Sequence, residues 1–129
     1  SSIEEIFSES DIISIHTPLI DETKNLVDTK LISLMKKNAI LVNAARGGII
    51  NEKDLLDALE NNAIRGAALD VFGEEPLDET SPLRSLDNIV LTPHLGASTE
   101  EAQVRVGMMA AQQLREFFLN DNLLNEVRA

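Results

Sequence analysis

Two histidines, an arginine among small residues and a few acids at the ends of apolar runs are the side chains here whose types and surroundings could do chemistry. His94 stands in IVLTPHLGAS, where a β-branched run meets Thr92-Pro93 and must stop, because proline has no N–H for a ladder. An imidazole just past a strand tip is a candidate acid/base, since it exchanges a proton near neutral pH. Arg46 follows AILVN in the series Ala44-Ala45-Arg46-Gly47-Gly48. Its planar fork matches a carboxylate in a way lysine does not, and the flanking small residues let backbone approach a ligand, so it is the candidate anion clamp. Asp70 breaks the apolar run RGAALDVF near its carboxyl end, where it either bonds local backbone or reaches a ligand. Glu74 and Glu75 precede Pro76; either acid could orient a histidine, and spacing does not choose between them. His16, in DIISIHTPL, ends its run as His94 does, yet reads first as a hydrogen-bonded structural residue.

These groups need elements to position them. Ile3, Ile6 and Phe7 share one helical face, ending near Ser10-Asp11, and residues 11–15 follow as a strand. Leu31, Ile32, Leu34 and Met35 predict a short amphipathic helix capped by Asp28 or Thr29 and closed by Lys36-Lys37. Residues 39–43 form the next strand, and 51–60 a helix with Leu55, Leu56 and Leu59 inward. Residues 65–72 make a third strand; 78–86 are too irregular for a full helix, and Ile89 opens a fourth strand. A long helix over 98–119 opens with a capping box, Ser98 to Glu101. Its stripe of Ala102, Val106, Met109, Ala110, Gln113, Leu114, Phe117 and Phe118 is expected to serve as core or interface, and the tail from Asn120 to fray or dock weakly. Strands alternating with helices predict an α/β fold, a parallel sheet of about four strands with right-handed crossovers. Ligands of such sheets bind outside the carboxyl ends of the strands, where His16, Arg46, Asp70, Glu74/Glu75 and His94 all gather.

Composition excludes other classes. At 129 residues and 43% hydrophobic, the chain is globular and sized for one domain, and no apolar run approaches the ~20 residues of a membrane span. The acidic start SSIEEIFSES has no secretory pattern, and without cysteine there is neither disulfide nor thiolate metal site; cytoplasm is the default expectation. The net charge of -11 repels nucleic acid and anionic membrane, so an anionic substrate needs a specific positive group.

The series DIISIHTPL, LVNAARGGIINEKDLLDALE, GAALDVFGEEPL and NIVLTPHLGAST resembles the cofactor-binding domain of the D-isomer-specific 2-hydroxyacid dehydrogenases, most closely their D-3-phosphoglycerate dehydrogenase branch. The resemblance runs over nearly the whole chain. It implies NAD as cofactor, a small 2-hydroxy or 2-keto acid as substrate and a Rossmann-like fold. It also implies that Arg46 binds the substrate carboxylate, that Glu75, directly before Pro76, partners the histidine, and that His94 is the acid/base. Asp70 resembles the contact to the nicotinamide end. His16, Thr17 and Pro18, the backbone of Ala44 and Ala45, and the turn Leu95-Gly96-Ala97 resemble further cofactor contacts, alongside Arg46 and His94. No metal is implied. A carboxylate partner would stabilise the imidazolium that protonates a keto oxygen.

Two departures qualify the match. No Gly-x-Gly-x-x-Gly occurs, and no acid after a second strand reads a ribose. Residues 1–129 are therefore expected to be a partial NAD-binding domain, its nicotinamide-side half, without the glycine-rich half or a substrate domain. Alone it is expected to be inactive, and to self-associate through the edge of its first strand or the stripe of its last helix. The alternatives are a half-domain that folds and assembles without chemistry, and a glyoxylate or hydroxypyruvate reductase as the parent.

Overall fold

The computed structural model describes residues 2–127 and divides into two units, residues 1–94 and 95–129. The first holds α1 (Ile3–Glu9), β1 (Ile12–Ile15), α2 (Thr29–Leu34), β2 (Ile40–Asn43), α3 (Glu52–Glu60), β3 (Gly66–Leu69), a 3-10 turn at Pro82–Ser85 and β4 (Ile89–Leu91). The second is the long helix α4 (Glu100–Asn120) with its flanking turns.

The four strands form one parallel sheet in the order β1-β2-β3-β4. Every crossover steps the same way, so right-handed connections put them all on one face, and α1 packs on α2 and α2 on α3. Side-chain alternation agrees. The rows Ile13-Leu41-Ala67-Ile89 and Ile15-Asn43-Leu69-Leu91 turn inward, onto a core that includes Leu31, Ile49, Leu55, Leu59 and Ile64. The row Ser14-Val42-Ala68-Val90 turns the other way, with Ile12 and Ile40 beside it; Ile12 is 65% and Val90 62% exposed. Pairing runs one residue past the strand ends, through Asp70 N–H to Asn43 O (2.9 Å) and Thr92 N–H to Leu69 O (3.0 Å).

Local chemistry starts the helices. Asp28, rather than Thr29, caps α2, accepting from the Lys30 and Leu31 amides, and Asn51 caps α3 through the Asp54 amide. Asp54 in turn accepts from Thr29 N–H at 2.9 Å, which ties the start of α2 to that of α3.

Several expectations need correction. The third strand is Gly66–Leu69, shorter than 65–72, because residues beyond Asp70 turn into a loop; Asp70 sits at the exit instead of inside the strand. Lys36 does not close α2, which ends at Leu34; it pairs with Asp11 at 3.1 Å. In α1 the inward residues are Ile3 and Phe7, while Ile6 is exposed. The cap of α4 is Thr99, accepting from Ala102 N–H, so the expected Ser98–Glu101 box does not form; with alanine three residues on, Thr99 caps without a reciprocal partner. The α4 stripe is not core: Val106, Met109, Leu114, Phe117 and Phe118 are exposed. Asn120 ends α4 and Asp121 caps it in the left-handed region at φ 49°, while the last two residues of the tail lie outside the described range.

Candidate active site

Parallel strands bring all their carboxyl ends to one edge, so the sheet order fixes which side chains can meet. His16 leaves β1, Arg46 follows β2, Asp70 follows β3 and His94 follows β4. Three strand spacings, about 14 Å, separate the tips of β1 and β4, which puts His16 out of reach of His94. Its Nε2 bonds Ser14 Oγ at 2.8 Å, the local role read from the sequence.

His94 and Glu75 do meet. Glu75 Oε2 lies 2.7 Å from His94 Nδ1, while Oε1 accepts from Phe72 N–H at 3.0 Å, so both carboxylate oxygens are committed. The structure thereby chooses Glu75 over Glu74, which spacing could not do. The hydrogen bond from His94, and after it the Phe72 amide, hold the Glu75 carboxyl below its usual 4.5. An ionised carboxylate only accepts, so Nδ1 carries a proton and Nε2 is left for other work. His94 takes φ 55°, a left-handed conformation that costs of order 1 kcal/mol in a non-glycine residue. The other non-glycine residues with positive φ among those described are all Asn or Asp, which tolerate it better.

Asp70 and Thr92 stand side by side at the tips of β3 and β4, with Thr92 Oγ1 donating to Asp70 Oδ1 at 2.5 Å. Next to the pair Glu75–His94 a cavity of about 470 Å³ opens, lined by Phe72, Pro76, Leu77, Arg84, Leu91 and Thr92. Arg84 escaped the sequence reading. Its Nε and Nη2 donate to the carbonyls of Asp78 (2.9 Å) and Leu77 (2.8 Å), which fixes the loop that forms one wall.

Arg46 is exposed, with Nη1 donating to its neighbour's carbonyl, Ala45 O, at 2.6 Å; no carboxylate pairs with it among the described residues. What shapes its loop is Asn43, only 2% exposed, whose Nδ2 donates to Arg46 O (2.9 Å) and whose Oδ1 accepts from Ala45 N–H (3.1 Å). Sequence reasoning missed it. A lone amide at the inward end of AILVN was the available signal, since a buried polar side chain must find partners. Gly47 then fits against the β3 exit so closely that a Cβ would lie 1.7 Å from Phe72 O. The Arg46 loop is thus pressed on the backbone whose amide holds Glu75.

Leu95, Gly96 and Ala97 belong to the second unit, where Ser98 N–H closes a turn on Leu95 O at 2.8 Å. Among the described residues no group of His, Asp or Glu is arranged to hold a metal, and no helix is long and apolar enough to cross a membrane.

Known proteins resemble this chain in sequence and in fold. The family model for the D-isomer specific 2-hydroxyacid dehydrogenase, NAD binding domain, matches residues 1–96. A D-3-phosphoglycerate dehydrogenase of Methanocaldococcus jannaschii is 48% identical over 95% of this chain and 24% of its own length. A glyoxylate reductase of Aeropyrum pernix is 49% identical over 90% and 35%. The solved structure of an NAD-dependent formate dehydrogenase from Staphylococcus aureus in complex with NAD superposes with a TM-score of 0.84 at 36% identity, covering 100% of this chain and 40% of that one. The chain therefore spans about a quarter to a third of the curated relatives' length. With the family model matching 96 of its residues, the chain belongs to the D-isomer specific 2-hydroxyacid dehydrogenase family, through the NAD-binding domain.

Proposed function

We propose that this chain is the nicotinamide-side half of the NAD-binding domain of an oxidoreductase interconverting a D-2-hydroxy acid and its 2-keto acid. The observation that carries the reading is the 2.7 Å contact between His94 Nδ1 and Glu75 Oε2 at the exit of β4. With Glu75 ionised and Nδ1 protonated, Nε2 is the nitrogen that exchanges a proton with the substrate oxygen. In reduction the imidazolium donates from Nε2 to the keto oxygen; in oxidation neutral His94 accepts the hydroxyl proton there. Arg46, with no carboxylate partner of its own, binds the substrate carboxylate and limits its orientations.

The residue types fit the nicotinamide end of the cofactor. Asp70 offers an acceptor oxygen at a strand exit, suited to a carboxamide N–H, and Thr92 holds that carboxylate in place. Ala44 and Ala45 offer small side chains at the next strand tip, and Leu95, Gly96 and Ala97 a turn. His16, Thr17 and Pro18, about 14 Å along the edge, are assigned to the cofactor and not to the reacting atoms. When bound, the nicotinamide supplies or accepts the hydride. The phosphates have no glycine-rich turn in this sequence to receive them, so the chain alone is expected to bind cofactor too weakly for turnover.

Among substrates we favour D-3-phosphoglycerate, the oxidation that opens serine biosynthesis, with a glyoxylate or hydroxypyruvate reductase as the alternative parent; relatives of both names match at 48% and 49% identity. The missing half-domain, a substrate domain and a second copy of the chain are the proposed partners, and cytoplasm the compartment. The test is steady-state kinetics on the full-length parent with D-3-phosphoglycerate and with glyoxylate. His94→Ala is expected to lower kcat by about 10²–10⁴. Turnover that survives His94→Ala unchanged would sink the assignment.

A further inference from the structure

The acid that partners His94 is held by backbone, and that backbone is held by a residue outside the site. Phe72 N–H donates to Glu75 Oε1 at 3.0 Å, so the position of the Phe72–Gly73 segment sets where the Glu75 carboxylate points. The segment leaves β3 as an irregular loop with no ladder of its own. The buried Phe72 side chain seats it in the core, and two contacts from other elements hold its backbone. Gly47 lies against the Phe72 carbonyl, and Gly73 N–H donates to Glu52 Oε1 at 2.6 Å. Glu52 is the first residue of α3, 21 positions earlier in the chain, on a helix anchored by Asn51 and by the buried Leu55 and Leu59.

We infer that Glu52 is a positioning residue for the acid/base pair: its carboxylate fixes the Gly73 amide, and through Phe72 it aims Glu75 at His94. This rests on reading Glu75 and His94 as that pair. An acid at the start of a helix has an ordinary use, complementing the helix dipole, and Asp54 does the same two residues on, in the same first turn. A dipole role needs only charge near the helix start. Holding Gly73 needs an acceptor oxygen at the end of a side chain of glutamate length, with or without charge.

The two roles separate by substitution. Glu52→Gln keeps length and acceptor but loses charge; Glu52→Asp keeps charge but falls short by one methylene; Glu52→Ala loses both. NMR on the 129-residue chain reads the midpoint of the Glu75 carboxyl titration, the exchange rates of the Phe72 and Gly73 amides and the His94 ring nitrogens. We expect Glu52→Gln to match the wild type. In Glu52→Asp and Glu52→Ala the Glu75 midpoint moves up towards 4.5, both amides exchange at least about tenfold faster, and the Nδ1 resonance loses its hydrogen-bonded shift. If Glu52→Ala fails to fold, Glu52→Asp decides, because it retains the helix-start charge. Wild-type titration and exchange in Glu52→Asp, or equal disturbance in Glu52→Gln, overturns the inference. None of these readouts needs cofactor or substrate, so they stand or fall separately from the dehydrogenase reading.

Discussion

Glu75 spends both carboxylate oxygens inside the protein, one on the Phe72 amide and one on His94, and this gives the pair a defined pH range. Its carboxyl titrates below 4.5 in the folded chain. A group whose pKa is lowered by folding contributes stability above its unfolded value and loses it as pH falls through the folded value. The stability the pair contributes is therefore fully present above the ordinary glutamate value of 4.5 and is lost only as pH falls through the lower folded value. Carbon-detected NMR titration is expected to show a Glu75 midpoint below 4.5 in the wild type, moving up in His94→Ala but remaining depressed, because the Phe72 amide still donates. A wild-type midpoint at or above 4.5 would contradict the geometry. The histidine was legible from Thr92-Pro93, since proline ends a strand whatever surrounds it. The choice of Glu75 over Glu74 was not legible from spacing and came through family resemblance, because it depends on which acid the loop turns towards the tip of the neighbouring strand.

At the scale of elements, the site depends on two loops in backbone contact, and Gly47 is where they touch. Gly47→Ala would place a methyl 1.7 Å from the Phe72 carbonyl, so one loop has to move. We expect a loss of about 3 kcal/mol in urea unfolding together with a weakened His94–Glu75 contact. Gly107→Ala is the matched control: it lies within α4 with nothing within 4 Å of the added methyl, and should gain up to about 1 kcal/mol of helix propensity. Equal effects at the two positions would show that the loop contact carries no special weight. In the core beneath, Leu55→Ala should cost about 2–5 kcal/mol, since that side chain is fully buried. Helix and strand identities were readable because their periodicities are local. Asn43, Glu52 and Arg84 were not singled out, as two of them act on backbone the chain reaches later, and the third on a loop formed by residues just before it. The stripe of α4 could be read only as core or interface for a related reason: periodicity reports an apolar face but not what covers it.

Across the whole molecule, one face of the sheet carries the helices and the other exposes Ile12 and Val90, while the edge of β1 has no strand beside it among the described residues. An unpaired edge next to apolar side chains favours self-association, and the net charge of -11 opposes it. Sedimentation should therefore show mass increasing with concentration, more steeply in 0.15 M than in 0.01 M salt, because the Debye length falls from about 30 Å to about 8 Å. Ile12→Lys should shift the chain towards monomer; a monomer at all concentrations in both salts would count against association. The family was legible from ordered motifs along most of the chain, whereas the partners of this face were not, since composition records only that apolar residues exist. The sheet order has a temporal consequence too. Each strand pairs with the one made just before it, so a growing chain can add strands in the order of synthesis without waiting for distant sequence. The carboxylate arrives with the loop after β3, its histidine only with β4, and the arginine loop is waiting for both. The contact between Glu75 and His94 is thus the last feature of this unit to be completed as it is made, since residue 94 follows every strand that positions it.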